Sequence, residues 1–346
     1  MPENRPPILF RDPQIEMAHG AGGKASRRLI EGLIAPLFGG PLLEPLGDAG
    51  LIEAGGARMA FTADTFVVKP LRFPGGSIGD LAVNGTVNDL AVSGARPVAL
   101  LVNLILESGL PSEVLAIELR AIAAAAANAG VKIVGGDTKV VEHGAADRMY
   151  ITTSGLGLLD SRVCCSAASV RPGDRILLSG PIGDHGITIL LARGEIEMEA
   201  DLCSDTRSVF PMVEALIGSI GEDLRWMRDP TRGGVASALN ELAADARVCI
   251  AISEETIPVR DQVRGACELL GLEPMHIANE GQFLAVIARE RADEALDAVR
   301  GVPGGEAAVL IGEVRQSPAK MVLSLSAYGG TRVVDMLVGD PLPRIC

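Results

Sequence analysis

Carboxylates recur through the first half of the chain, each set among small or turn-forming residues. Asp48 stands in "LGDAG", Asp64 in "FTADTF", Asp80 and Asp89 in "SIGDLAVNGTVNDL", and Asp137 in "VGGDTKVV". Asp64 and Asp137 each follow a strand-like run, the position at which α/β sheets form ligand crevices. Mg²⁺ is a hard cation that takes one or two carboxylates together with phosphate oxygens. Converging aspartates would therefore build a metal–triphosphate site. Any one of them alone reads as a turn or N-cap residue, the commonest use of Asp. The series as a whole carries the functional reading.

Further groups with chemical potential flank this series. "HGAGGK" (19–24) places Gly20, Gly22 and Gly23 beside His19, ahead of a helix expected over 25–35. Glycines let the backbone approach a ligand, and amides at a helix start can face phosphate oxygens. The Gly-Lys pair is followed by Ala25, so this is not a Walker A loop, and a plain helix-entry loop fits equally well. Lys139 follows Asp137 and Thr138 at the end of a strand, within reach of a phosphate. In the second half, "DPTRGG" (229–234) and "ANEGQF" (278–283) are turn-like. Glu280 there is either an exposed turn residue or a buried general base. The chain ends on Cys346 in "GDPLPRIC", where Pro341 and Pro343 favour an extended, mobile tail. Taken alone, that tail reads as a frayed end.

These groups need elements to position them. "PVALLVNLIL" (97–106) reads as a buried strand, 112–129 as an alanine-rich helix, and "VKIVGG" as the next strand. "MYITTSGLGLL" (149–159) adds another strand. The stretch 79–93 reads as a helix with Asn84 and Asn88 on one face. That face is either ligand-contacting or a solvent-facing polar stripe. The second half repeats the theme, with strands at 170–180, 283–288 and 307–314 and a charged helix over 290–300. The fold class is α/β of the α+β type, with a mixed sheet in each of two domains. The expected organisation is an N-terminal domain over 1–165, a C-terminal α/β domain over 166–338, and a flexible tail over 339–346.

Composition narrows the function classes. The 346 residues are 48% hydrophobic but only 3% aromatic, so the core is built from Ala, Val, Leu and Ile. With 31 basic and 44 acidic residues the net charge is −13. That argues against nucleic acid or an anionic membrane as partner. The start "MPENRPPILF" has no apolar stretch of signal-peptide length, and the chain reads as a soluble cytoplasmic protein. The six cysteines form no CxxC, and the four histidines have no zinc spacing.

In this order, "AHGAGG", "DAG", "NGTVNDLAVSGARP", "GGDTKVV", "DPTRGG" and "NEG" resemble an ATP-binding superfamily. Its members include aminoimidazole ribonucleotide synthetase, selenophosphate synthetase and thiamine-phosphate kinase. Within it the chain resembles the hydrogenase maturation carbamoyl dehydratase family, HypE, which ends in Pro-Arg-Ile-Cys as this chain ends "PRIC". The likeness runs over residues 15–346. It implies a homodimer in which strands of the N-terminal domains form a central barrel, with ATP and Mg²⁺ in the clefts. At the matching positions it implies that Asp48, Asp64, Asp89 and Asp137 hold Mg²⁺ and the triphosphate. His19, Gly20, Gly22 and Gly23 would cover the nucleotide, and Asn84, Asn88 and Thr138 fall in the nucleotide-binding motifs. Lys139, Glu280 and Cys346 match catalytic positions.

The implied reaction is ATP-dependent dehydration of an S-carbamoyl group on Cys346 to a thiocyanate, the source of the cyanide ligand of NiFe hydrogenase. A carbamoyltransferase would load Cys346, and an iron-carrying scaffold complex would accept the cyanide. Glu280 is the expected base, with Lys139 orienting the γ-phosphate or the amide. Selenophosphate synthetase is the nearest rival, but its reactive residue lies near the N-terminus, whereas the first cysteine here is Cys164. Thiamine-phosphate kinase gives no reason for a terminal Cys. A metallochaperone using Cys346 as a soft ligand would lack partner ligands in the tail.

Overall fold

The computed structural model describes residues 7–39, 47–194, 200–339, 342 and 344–346. Pro341 and Pro343 of the tail lie outside these residues. α1 (Gly23–Leu29) passes through a π turn, Ile30–Ile34, into α2 (Ala35–Phe38). The helix expected over 25–35 forms as one continuous helical run with this π turn inside it, and Pro36 supplies the reason for the turn. It has no N–H for the Gly32 carbonyl, which instead accepts from Leu9 (2.9 Å) and Phe10 (3.1 Å).

The first half then runs β1 (Gly50–Ala54), β2 (Ala57–Phe66), β3 (Arg72–Phe73), β4 (Gly76–Ser77), α3 (Ile78–Val92), β5 (Ala95–Glu107), α4 (Ser112–Asn128), β6 (Lys132–Val141) and β7 (Met149–Leu159). Its main sheet has five strands in the order β1-β2-β7-β5-β6, and β3 and β4 form a small separate ribbon. Only β5 and β6 pair in parallel, joined by α4 as a crossover. The second half runs β8 (Arg175–Leu178), α5 (Asp184–Arg193), α6 (Phe210–Ile220), β9 (Leu224–Arg228), α7 (Gly234–Ala246), β10 (Cys249–Ser253), α8 (Asp261–Leu270), β11 (Leu284–Ile287), α9 (Ala292–Arg300), β12 (Val309–Arg315), β13 (Met321–Leu325) and β14 (Thr331–Val334). These strands form a seven-stranded sheet, β14-β13-β10-β12-β8-β11-β9, in which only β10 and β13 are parallel. Both sheets are mixed, as the alternation of strand and helix patterns predicts. No described helix is long and apolar enough to cross a membrane.

α3 is buried almost all round because it lies between the first sheet and the second half of the chain. Gly85 permits this. A Cβ there would stand 2.8 Å from the Phe66 ring, so only glycine lets α3 settle on β2 and bring Asp89 over that strand. The core is continuous across the two halves. Phe66, Leu81 and Ile151 share one cluster with Ile187 of α5, Ile277 and the tail residues Leu342 and Ile345. Ala91 and Val92 of α3 pack with α6 and Phe283 in another. At the seam between the halves, chemistry-bearing residues from both are brought together.

Candidate active site

Asp48 lies in the loop before β1, Asp89 in the last turn of α3, and Asp229 just after β9. Oxygens of these three carboxylates all lie within 4.8 Å of one another. Asp64 adds its field from β2. The Thr62 hydroxyl holds the arrangement, 2.8 Å from Asp89 Oδ2 and 2.9 Å from the Asp48 carbonyl. Arg228 donates to Asp48 at 2.5 Å and pairs with Glu241 at 3.2 Å. The positive charge at the site falls short of the negative. Burial, then the neighbouring Asp229, Asp48 and Asp64, push the pKa of Asp89 well above its ordinary value. Asp229 is pushed the same way by burial and by Asp48, with Arg228 opposing. Burial also raises Asp48 and Asp64, against Arg228 and Arg232 respectively. Crowded hard oxygens with uncompensated charge suit a divalent cation such as Mg²⁺.

A cleft of about 820 Å³ opens beside this cluster, lined by the glycine-rich segment, Asp48, Asp229, Thr231, Arg232 and Glu241. Gly22 and Gly23 take φ of 76° and 79°. A Cβ on Gly23 would meet the Leu337 carbonyl at 2.5 Å, so the segment is seated against the second half. Lys24 and Ala25 N–H donate to the Leu337 and Val338 carbonyls, both at 3.0 Å. These first helical amides are therefore occupied by protein, not left to face phosphate. His19 is likewise committed. Its Nδ1 accepts from the Glu16 N–H at 2.9 Å, and its Nε2 lies 2.8 Å from Asp12. It pins the loop that carries Gly20, whose carbonyl accepts from Arg232 at 2.7 Å.

Asn84 and Asn88 do share a face of α3, but that face meets neither solvent nor the cleft. The Asn84 amide donates to Thr206 Oγ1 at 3.3 Å. Asn88 donates to the carbonyls of Arg207 (3.0 Å) and Glu280 (3.2 Å) and accepts from the Val209 N–H at 2.8 Å. Asn88 thus ties α3 to the turn that carries Glu280. Glu280 itself is 3% exposed, which decides between the two sequence readings in favour of a buried carboxyl. Its N–H and that of Gly281 donate to Asp205 at 3.0 and 3.2 Å. Its Oε1 has no hydrogen-bond partner among the described residues. Burial, then Asp64, Asp229 and Asp205, raise its pKa well above the usual carboxylate value, with Arg232 opposing.

Cys346 is 9% exposed and packs in one apolar cluster with Phe66, Ile277 and Ala278. The tail lies antiparallel to the segment that follows β2. Val67 N–H donates to the Cys346 main-chain oxygen at 2.9 Å, and Lys69 N–H to the Arg344 carbonyl at 3.3 Å. Arg344 Nε donates to the Val67 carbonyl at 3.1 Å and its Nη1 to Asp147 at 3.0 Å. The described tail residues are docked, with the terminal Cys turned into the seam.

Asp137 stands apart from the cluster in the single chain. It pairs with Asn103 on β5, which pairs with Thr152 on β7, which pairs with Thr65 on β2. That puts it three strand spacings, roughly 14 Å, from β2. The same register sets Asp64 opposite Thr153 and Val102, on the other face of the sheet. Asp137 therefore does not complete the carboxylate set within one chain. It bonds Lys139 at 2.6 Å instead, and both side chains are mostly exposed. The Thr138 N–H donates to Asp137 Oδ1 at 2.8 Å. Asp229 and Arg232 join the site from the turn-like "DPTRGG", to which the sequence alone assigns no role. The signal that could find them is the short strand-like run "LRWMR" directly ahead of Asp229, which forms β9.

Comparison with known proteins identifies the family of the chain. The family model "AIR synthase related protein, N-terminal domain" matches residues 46–159 and its C-terminal counterpart matches 171–323. The chain is 46% identical over 337 residues to the carbamoyl dehydratase HypE of Azotobacter vinelandii, covering 97% of this chain and 98% of that one. A crystal structure of a HypE–HypF complex superposes with a TM-score of 0.85 at 43% identity, over 89% of this chain and 99% of that one. HypE in complex with ATP superposes at 0.80 and 43% identity, over 96% and 100%. By sequence over nearly its whole length and by fold, the chain belongs to the carbamoyl dehydratase HypE family.

Proposed function

We propose that the chain dehydrates an S-carbamoyl group on its own Cys346 to a thiocyanate, with ATP as the activating co-substrate. The thiocyanate supplies the cyanide ligand of a NiFe hydrogenase iron centre. The observation that carries this is the seating of Cys346 in the seam, beside the residues that follow Asp64 and in one cluster with Ile277 and Ala278. The relatives' stated activity and the HypE complexes with ATP and with HypF support it.

The chemistry balances as two steps. The carbamoyl oxygen, a poor leaving group, attacks the γ-phosphorus of ATP. A C–O–P bond forms, ADP leaves, and one N–H proton departs. The resulting isoimidate phosphate then loses phosphate as the second N–H proton departs and C≡N forms. Glu280 takes a proton, since Oε1 has no hydrogen-bond partner among the described residues and burial makes the carboxyl hold a proton well. Mg²⁺ held by Asp48, Asp89 and Asp229 would neutralise charge at the phosphates. The seam's apolar wall keeps water from the activated amide. Arg232, in the cleft lining, offsets the carboxylate field around Asp64 and Glu280. Carbamoylated protein should lose the mass of one water at Cys346 only when ATP is present. Loss without ATP, or none with it, would sink the proposal.

The working form is a homodimer. β6 is exposed along almost its whole length and ends the sheet, with no strand beyond it among the described residues. The sheet face that carries Asp137 and Lys139 also carries Phe61, Leu101, Ile105 and Leu158, each 41–48% exposed. A second copy covers this face and brings its Asp137 and Lys139 to the site, which explains their separation within one chain. Ile105→Asp should convert a dimer into a folded monomer in light scattering; an unchanged mass would refute this interface. Loading by a carbamoyltransferase and delivery to an iron-carrying scaffold both require the docked tail to leave the seam.

A further inference from the structure

His185, on the first turn of α5, is fully buried and faces the tail. Its Nε2 lies 2.7 Å from the Ile345 carbonyl and its Nδ1 lies 2.7 Å from Ser204 Oγ. A carbonyl can only accept, so Nε2 carries the ring proton and Nδ1 accepts the Ser204 hydroxyl. Ser204 Oγ in turn accepts from the Thr206 N–H at 3.1 Å. The Phe73 ring packs edge-on at 5.6 Å and fixes the imidazole plane. Burial holds the pKa of His185 down at about 4, so this one-proton arrangement persists at neutral pH.

The other end of α5 grips the same tail. Arg193 Nε donates to the Lys69 carbonyl at 2.6 Å, and its Nη2 donates to the Arg344 carbonyl. Arg344 sits at φ 56°, a left-handed conformation that a non-glycine residue adopts only when its surroundings impose it. Both carbonyls ahead of Cys346, at 344 and 345, are thus held by side chains of one helix. When the tail leaves, Nε2–H loses its buried acceptor, which biases the tail inward without locking it.

We propose that His185, oriented by Ser204, is a positioning residue that sets where the Cys346 side chain enters the seam, with Arg193 as its second grip. This rests on the dehydratase reading, because it places the loaded thiol rather than acting on it.

The test uses the full-length protein and needs two readouts. Alkylation of Cys346 by iodoacetamide, followed by mass spectrometry of the C-terminal peptide, reports tail seating without ATP or a carbamoyl group. Exposed Cys164 serves as the internal reference. In His185→Phe the Cys346 rate should rise about tenfold, the scale of one buried hydrogen bond. The single-turnover dehydration rate at saturating ATP should fall about tenfold, with half-saturating ATP within about twofold. His185→Gln keeps an N–H donor near Nε2 and should recover most of both losses. Arg193→Gln, a surface change that leaves the core intact, should move both readouts the same way by about threefold. Unchanged Cys346 labelling in His185→Phe and Arg193→Gln would overturn the proposal. So would a slowed dehydration that appears only as weaker ATP binding. If labelling shifts as expected but wild-type protein never loses water, the positioning role stands and the dehydratase reading falls.

Discussion

Glu280→Gln should lower the single-turnover rate of dehydration by about a thousandfold while ATP still binds, as expected for loss of a general base. The substitution keeps the shape of a buried side chain and removes its proton affinity. Glu280 is not among the residues that line the cleft, and its backbone bonds to Asp205 and Asn88 hold the turn and survive the change. Nucleotide affinity should therefore persist. The pH dependence gives a second check. The pKa of Glu280 is raised in the folded protein, so its base form fills as pH rises through that raised value. Wild-type rate should climb along this limb, and the limb should vanish in the variant. Stability moves in the opposite sense to activity. A raised folded pKa means the charged form is penalised by folding: the penalty is absent below the ordinary carboxylate range and complete once pH has passed the raised value. At pH 8 the Gln variant should melt at a higher temperature than wild type. A variant with full activity would remove Glu280 from the mechanism.

Local features of this chain are legible in the sequence, and what is not legible lies where distant segments meet. The strand at 149–159 and the helix from residue 112 form where periodicity places them, because each pattern is long and bounded by turn residues. Asp48, Asp64 and Asp89 gather at one seam, as a series of strand-end and helix-end carboxylates suggests. Asp137 sits in an equally suggestive motif but faces the other side of the sheet, and residue parity along β6 is not fixed until its register with β5 is known. The i, i+4 spacing of Asn84 and Asn88 correctly gives a shared face; it cannot say that residues 206–209 and 280 cover it. The helix-start amides at Lys24 and Ala25 read as free for phosphate because their acceptors, at 337 and 338, lie at the far end of the chain. The seating of Cys346 against Val67, and of Ile345 against His185, is of the same kind, set by contacts that no local pattern encodes.

Asp229→Asn should reduce ATP-dependent turnover at least about a hundredfold and weaken its dependence on Mg²⁺, since charge neutralisation by a metal is worth several kcal/mol at a phosphoryl transition state. Its effect without metal should have the opposite sign. Asp229 shares a space within 4.8 Å with Asp48 and Asp89, and Arg228 already serves Asp48 and Glu241. Burial and Asp48 make the charged form of Asp229 unfavourable. In chelator the wild-type chain bears more of that penalty as pH rises through the raised pKa values of Asp89 and Asp229, and acidification progressively relieves it. The Asn variant removes one of the three charges, so its melting temperature in chelator should exceed that of wild type and vary less with pH. Added Mg²⁺ should raise the wild-type melting temperature most at high pH, where protons do not compete, and raise the variant's much less. A variant that loses turnover yet melts below wild type in chelator, with an undiminished response to Mg²⁺, would mean that Asp229 packs the seam and that the cation is held elsewhere.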